Sequence, residues 1–345
     1  MATTVHDIAK ELNLSAMTVS RVLNGSDSKA VAIKTRDRVL QMADQMGYRP
    51  NRHARALVTG RTNTIALCID HLNSSIYAQL AHECQVAIQR AGLQLTFCEM
   101  NWHFSGPDNY SRYEWAVDGI LAVDPPPIEE LTSLLVEQSL QAIPRVHLGS
   151  GEPVKWAGDY VRVDMQEGTR AAVRHLAQQG CRRIAYALPT AANQAGIGNY
   201  ASFTEAVLLE GLIPEYILHD KWDLTDIRST TRAYALAHGV PDGIYSFSDE
   251  FAIATFRGLR DLNVKVPEDT LIIGCEGNEF MGYFDPPLST VAMPIPSLAQ
   301  EAWRLLQRRI KDTSLPPEQI TLPYDFQQRQ SSTPASSPHS YVGED

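Results

Sequence analysis

From Asn63 onward, short apolar runs alternate with stretches of helical periodicity, and this alternation restricts the fold more than any other feature of the chain. The runs TIALCID, LQLTFCE, GILAV, IPRVHLG, RIAYALP, GIYSFS and TLIIGCE read as strands. The stretches 78–91, 166–179, 201–210, 226–238 and 250–262 read as amphipathic helices between them. Strands separated by crossover helices pair in parallel, so the pattern predicts α/β units with helices on both faces of each sheet. Ligands of such sheets bind outside the carboxyl ends of the strands. Neither GxGxxG nor GxxxxGK[ST] occurs, which argues against a dinucleotide or nucleoside triphosphate site, and no cofactor is expected. At 345 residues the chain exceeds what one core usually serves, so a second folding unit is expected.

The first 60 residues supply that unit and carry a different texture. Val5, Ile8, Ala9 and Leu12 recur at helical spacing, Asn13-Leu14 interrupts, and Ser15 opens a second run whose Val19, Val22 and Leu23 face inward. The Ser15 hydroxyl is placed to cap that second helix. A third helix is expected from Thr35 to Met46, stopped by Gly47, and Asn51 caps a short basic helix over about 52–58. Two helices joined by a tight turn form the unit whose second helix enters a DNA major groove. The outward face of that helix carries Ala16, Met17, Thr18, Ser20, Arg21 and Asn24. One arginine can reach the acceptors of guanine, and apolar tips can meet thymine methyls. Spacing alone also fits a small helical domain whose Thr18 and Ser20 are merely solvated.

Charge divides the same way. Residues 1–60 hold nine Lys and Arg against five Asp and Glu, a net +4, while the whole chain is -10, so residues 61–345 carry -14. A basic head on an acidic body is what a chain needs to bring only its head to a polyanion. Composition does not separate DNA from an acidic protein partner.

Other classes find little support. His71, His82, His147, His175, His219 and His238 are scattered without metal spacing, His175 falls inside a helical stretch, and no GxSxG elbow occurs. No catalytic centre and no metal are therefore expected. Cys68, Cys84, Cys98, Cys181 and Cys275 form no CxxC and read as reduced thiols of a cytoplasmic protein. No run of 18 apolar residues exists, and the first residues lack the apolar core of a signal peptide, so no membrane is expected as a partner. The segment 331–345, SSTPASSPHSYVGED, reads as a disordered tail without leucine heptads.

The strings TVHDIAKELNLSAMTVSRVLNG and TRDRVLQMADQMGYRPNRHARALVTGRTNTIAL resemble the head and hinge of the LacI family of bacterial transcription regulators. The resemblance implies a helix-turn-helix DNA-binding domain at 1–50 and a hinge at 51–61. It also implies that Ala16, Met17 and Arg21 read bases, with Ser15, Thr18, Ser20 and Asn24 beside phosphates. Leu57 of the ARAL motif would wedge into the minor groove at the operator centre, with Asn51 and Ala54 lining that groove or the partner hinge. DSKAVAIK runs about two residues beyond the family pattern, which lengthens the turn before the third helix and makes Lys29 a further candidate phosphate contact.

AVDGIL, VRVDMQEGTRAAVRHLAQQGCRRIAY, PDGIYSFSDEFAIATFRGLRDLNVKVPEDTLIIG and FDPPLSTVAMPI extend the resemblance through the body. They imply a periplasmic-binding-protein-like body over 62–330: one subdomain from 62–160 and 292–329, the other from 163–290, crossovers near Val161, Val291 and Leu322, and one cleft. Effector contacts implied there are Tyr77, Asn199, Trp222, Ser248, Asp249 and Glu276, with Trp102 and His103 weaker candidates. For Asp249 a helix cap is the competing reading, and for Tyr77 and Trp222 core packing. Glu276 and Asn199 stand where the family more often has aspartate and arginine; Ser248 stands where many members have asparagine. The function implied is a homodimeric repressor of carbohydrate genes, released from pseudo-palindromic operator DNA by a sugar-like effector. A nucleoside or purine effector, ligand-strengthened DNA binding, and a sugar-binding protein without DNA binding remain alternatives.

Overall fold

The computed structural model describes residues 3–23, 31–49, 56, 60–69, 72, 74–100, 116–124, 143–150, 158–192 and 198–333. They fall into two units, 1–63 and 64–345.

The first unit is helical: α1 (Val5–Leu12), α2 (Ala16–Leu23) and α3 (Ile33–Gln45). Thr4 and Asp7 form a capping box at α1, the Thr4 hydroxyl accepting from Asp7 N–H at 3.3 Å and the Asp7 carboxylate from Thr4 N–H at 2.8 Å. Asn13 ends α1 in the left-handed region at φ 52°, which turns the chain sharply toward α2. Ile8, Ala9, Leu12, Val19, Val22, Val39 and Ala43 close a small core between the three helices. The third helix starts two residues before the expected Thr35, and Gly47 follows its end at φ 61°. The expected hinge helix and the long turn lie outside the described residues, apart from Ala56, whose carbonyl accepts from Gly60 N–H at 2.8 Å.

The body contains two six-stranded sheets. The first comprises β1 (Thr64–Ile69), β2 (Gln94–Glu99), β3 (Gly119–Val123), β4 (Arg145–Gly149), β5 (Asp159–Val163) and β11 (Gln319–Leu322), ordered β11-β5-β4-β3-β1-β2 and parallel throughout. The second comprises β6 (Ile184–Pro189), β7 (Glu215–His219), β8 (Gly243–Ser246), β9 (Leu271–Glu276), β10 (Ser289–Ala292) and β12 (Asp325–Gln327), ordered β12-β10-β9-β8-β6-β7. Only β12 runs antiparallel. The inner strands β3 and β6 are apolar and buried along their whole length, as parallel sheets between helix layers require.

Among the described residues the body's α-helices are α4 (Ser75–Arg90), α5 (Met165–Gln178), α6 (Gly198–Leu209), α7 (Leu224–His238), α8 (Asp249–Arg260) and α9 (Ile295–Lys311). The chain passes from the first sheet to the second between β5 and α5, and returns after β10, where α9 packs on α4, β3, β4 and β5. Buried Asp159 ties that return in place: it accepts from Arg309 Nε at 2.6 Å and Glu318 N–H at 2.7 Å. The third crossover corrects the expected organisation. Strand β11 belongs to the first sheet, and β12 pairs with β10, so residues 325–327 leave the first subdomain instead of returning to it.

The expected start of the disordered tail is corrected as well, because Ser331 and Ser332 are fully buried. The Ser331 hydroxyl donates to Ile272 O at 2.7 Å and accepts from Ser289 N–H at 2.8 Å, and Ser332 O lies 2.8 Å from His175 Nε2. A Ser-rich composition conceals this docking, since each hydroxyl is buried by answering a polar group rather than by apolar packing.

Candidate functional site

The face of α2 is fixed by its inner side. Val19 and Val22 are buried, which turns Met17 and Arg21 outward, with Met17 65% exposed and Arg21 exposed. Ala16, Thr18 and Ser20 are half-buried beside them. Ser15 caps the helix as expected: its hydroxyl accepts from Thr18 N–H at 3.1 Å and lies 2.8 Å from the Thr18 hydroxyl. The two hydroxyls thus support the helix start, and the side chains most open to a partner are one long apolar and one cationic group. Asn24, Lys29, Asn51, Ala54 and Leu57 lie outside the described residues, as do Trp102 and His103.

In the body, residues from both subdomains meet at the carboxyl ends of the strands. The first sheet brings Ser75, opening α4, and Asp124, following β3; the second brings Glu250, in the first turn of α8, and Glu276, ending β9. Ser75 joins the subdomains, donating its N–H to Glu250 Oε1 at 3.3 Å and its hydroxyl to the same oxygen. Glu276 adopts φ 105°, a region L-residues rarely occupy, and its Oε2 is buried without a hydrogen-bond partner. Burial, then the charges of Glu250, Asp249 and Asp124, push its carboxyl well above the usual carboxylate range. Backbone strain beside a desolvated carboxyl is characteristic of a functional position.

Asp249 takes a part that the sequence did not indicate. The cap of α8 is Ser248, whose hydroxyl accepts from Phe251 N–H at 3.3 Å. Fully buried Asp249 accepts from Gly277 N–H at 2.8 Å, Asn278 N–H at 2.5 Å and Thr290 Oγ1 at 2.7 Å. Burial lifts its pKa to about 7 against these three hydrogen bonds. Both oxygens are spent on the protein, so Asp249 braces the turn that follows Glu276. Glycine is required at 274 and 277, where a Cβ would come within 2.3 Å of Asp249 Oδ1 and 2.4 Å of Ala292 Cβ.

Trp222, 43% exposed in the loop after β7, meets Phe247 and Phe251 edge-on at 5.3 and 6.1 Å between ring centroids. His219, which ends β7, is buried against Phe251 at 5.4 Å, and desolvation lowers its pKa to about 4, so it is neutral near pH 7. Tyr77, in the first turn of α4, is half-buried against the main core, and Asn199 is half-buried at the start of α6. Sequence reasoning missed Ser75, Asp124 and Glu250. Asp124 and Glu250 had one available signal, a charged residue just past an apolar strand or at a helix start; Ser75 had none.

Residues 4–51 match the family model described as bacterial regulatory proteins, lacI family, and 173–332 match a periplasmic binding protein-like domain. The regulator DegA of Bacillus subtilis is 28% identical over 343 residues, 98% of this chain and all of that protein. The repressor PurR of Vibrio vulnificus is 27% identical over 314 residues, 90% of this chain and 92% of that one. Among solved structures, a lac repressor dimer bound to operator superimposes with a TM-score of 0.83 at 20% identity, covering 96% of this chain and all of that one. A CelR–cellobiose complex gives 0.66 at 26% identity, covering 95% and 99%.

Proposed function

The chain belongs to the LacI family of bacterial regulators, ligand-responsive DNA-binding proteins and not enzymes, and on that premise we propose that it is a homodimeric repressor of carbohydrate uptake or catabolism genes. Residues 1–50 bind DNA, 51–61 form the hinge, and 62–333 sense the effector. The exposed Met17 and Arg21 face of α2 carries the DNA reading, since Arg21 offers a forked donor and Met17 an apolar tip at groove-reading positions. Ala16 completes the base-reading set; Ser15, Thr18, Ser20, Asn24 and Lys29 serve phosphates; Asn51, Ala54 and Leu57 serve the operator centre.

The effector reading rests on the cleft. An open Trp222 face supplies apolar contact for a sugar ring, and Glu276 supplies acceptors for its edge, with Tyr77 and Asn199 at the margin. The similarity to a regulator solved with cellobiose supports the same class. Effector binding and operator binding oppose each other through different closure states of the cleft. The similarity to PurR favours a second reading, a purine or nucleoside stacked on Trp222.

Thermal unfolding of the full chain against sugars, polyols, bases and nucleosides distinguishes the two, because a ligand of the native state raises the melting temperature. A shift with a sugar supports the first reading. A shift confined to bases or nucleosides replaces it with the second.

A further inference from the structure

Charged groups of one sign gather where the two subdomains meet. There, Glu276 is hydrogen-bonded to the Glu250 carboxyl and feels the charges of Glu250, Asp249 and Asp124. Among the described residues, no Lys or Arg forms an ion pair with Glu276, Glu250 or Asp249. The four carboxyl groups do not have equal calls on a ligand. Asp249 is saturated by Gly277, Asn278 and Thr290, and Asp124 Oδ1 accepts from Ser150 N–H at 2.8 Å. Glu250 commits Oε1 to Ser75. The Glu276 carboxyl is hydrogen-bonded to that of Glu250, while its Oε2 remains buried and without a partner.

We propose that the effector carries a protonated amine, seated between Glu276 and Glu250. The proposal rests on the cleft being the effector site and narrows the carbohydrate reading to an amino sugar. A neutral hydroxyl brings one donor and leaves two facing carboxyl groups in mutual repulsion unless a proton is held between them. An ammonium brings three donors and a positive charge, meeting the orphaned oxygen and the repulsion together. A bare metal ion fits less well, since no three His, Cys, Asp or Glu groups among the described residues are placed to hold one. The buried hydroxyl of Ser246, which ends the neighbouring strand β8, also lacks a partner, so this end of the sheet has more than one polar group awaiting an answer. The braced turn at Gly277 and Asn278 holds Glu276 in its strained conformation, so the carboxyl is positioned before the ligand arrives.

Isothermal titration of the full-length chain tests this with glucosamine, galactosamine and mannosamine, their N-acetyl derivatives, the parent hexoses, and putrescine as a sugar-free amine. The expected result is binding of an amino sugar at least about tenfold tighter than of its parent or N-acetyl form, the scale of one charge-assisted hydrogen bond. Glu276→Gln, which keeps shape and removes charge, is expected to abolish that preference while the variant still unfolds cooperatively. Binding is also expected to release protons, seen as a heat that varies with buffer ionisation enthalpy. A parent hexose binding as tightly as its amino form overturns the amine and leaves the carbohydrate reading standing. Putrescine binding without any amino sugar keeps the amine and overturns the carbohydrate. Failure of every amine to bind overturns the proposal.

Discussion

Glu276 concentrates three unusual conditions in one residue: a backbone at φ 105°, a buried oxygen without a partner, and the charges of three other acidic residues acting on its carboxyl. Its raised pKa has a thermodynamic consequence of definite sign. The folded body holds the Glu276 proton more tightly than the unfolded chain does, so this group's contribution to stability is complete below about pH 4.5 and is lost as pH rises toward its folded value. His147 and His219, depressed to about 3 and about 4, act oppositely, losing stability as pH falls below 6.5. Comparison with Glu276→Gln cancels the histidines: the variant's melting temperature is expected to gain on the parent's as pH increases from 5 to 8, and a constant difference would contradict the assignment. At this scale the sequence was only half legible. It pointed to Ser248, Asp249 and Glu276 as neighbours, but it could not show that Ser248 takes the cap and Asp249 the brace. Those roles follow from which backbone N–H groups the fold delivers, and Gly277 and Asn278 lie 28 and 29 residues away from Asp249.

Among elements, legibility followed the length of the apolar run more than burial, since the edge strand β2 was read and the fully buried four-residue β10 was not. The central strands β1, β3, β6, β8 and β9 are mainly apolar, with polar residues only at their ends, and were read directly. The strands β7, β11 and β12 are edges, where half-exposed positions admit Glu215, Gln319 and Asp325, and no run announces them. The third crossover falls beside Leu322 as expected, but the residues after it were given to the wrong subdomain for the same reason, because two edge strands of four and three residues meet at Pro323-Tyr324 with little apolar signal. The last described turn, Gln330–Ser332, gives a test at this scale. Truncation after Gln330 is expected to destabilise the body by about 2 kcal/mol or more relative to truncation after Thr333, since it strips partners from Ser289, Ile272 and His175. Equal denaturant midpoints for the two truncations would contradict the docking.

The chain divides into a basic helical unit and an acidic two-sheet unit, and the proposed activity assigns DNA reading to the first and effector sensing to the second. The head needs little more than seven buried side chains to present α2, which is why its helices could be read from periodicity alone. The body's cleft needs two sheets whose strands come from distant parts of the chain, so its geometry, unlike its class, was not legible. In the proposed function, α2 makes the chain a sequence-specific DNA reader. Selection of bound duplexes from a random pool by the purified full-length protein, run beside Arg21→Ala, tests it most directly. The parent chain is expected to enrich a pseudo-palindromic site, with affinity for that site about tenfold or more weaker in the variant and binding to random DNA much less affected. A parent chain that enriches no sequence, or a variant that enriches the same site with unchanged affinity, would contradict it.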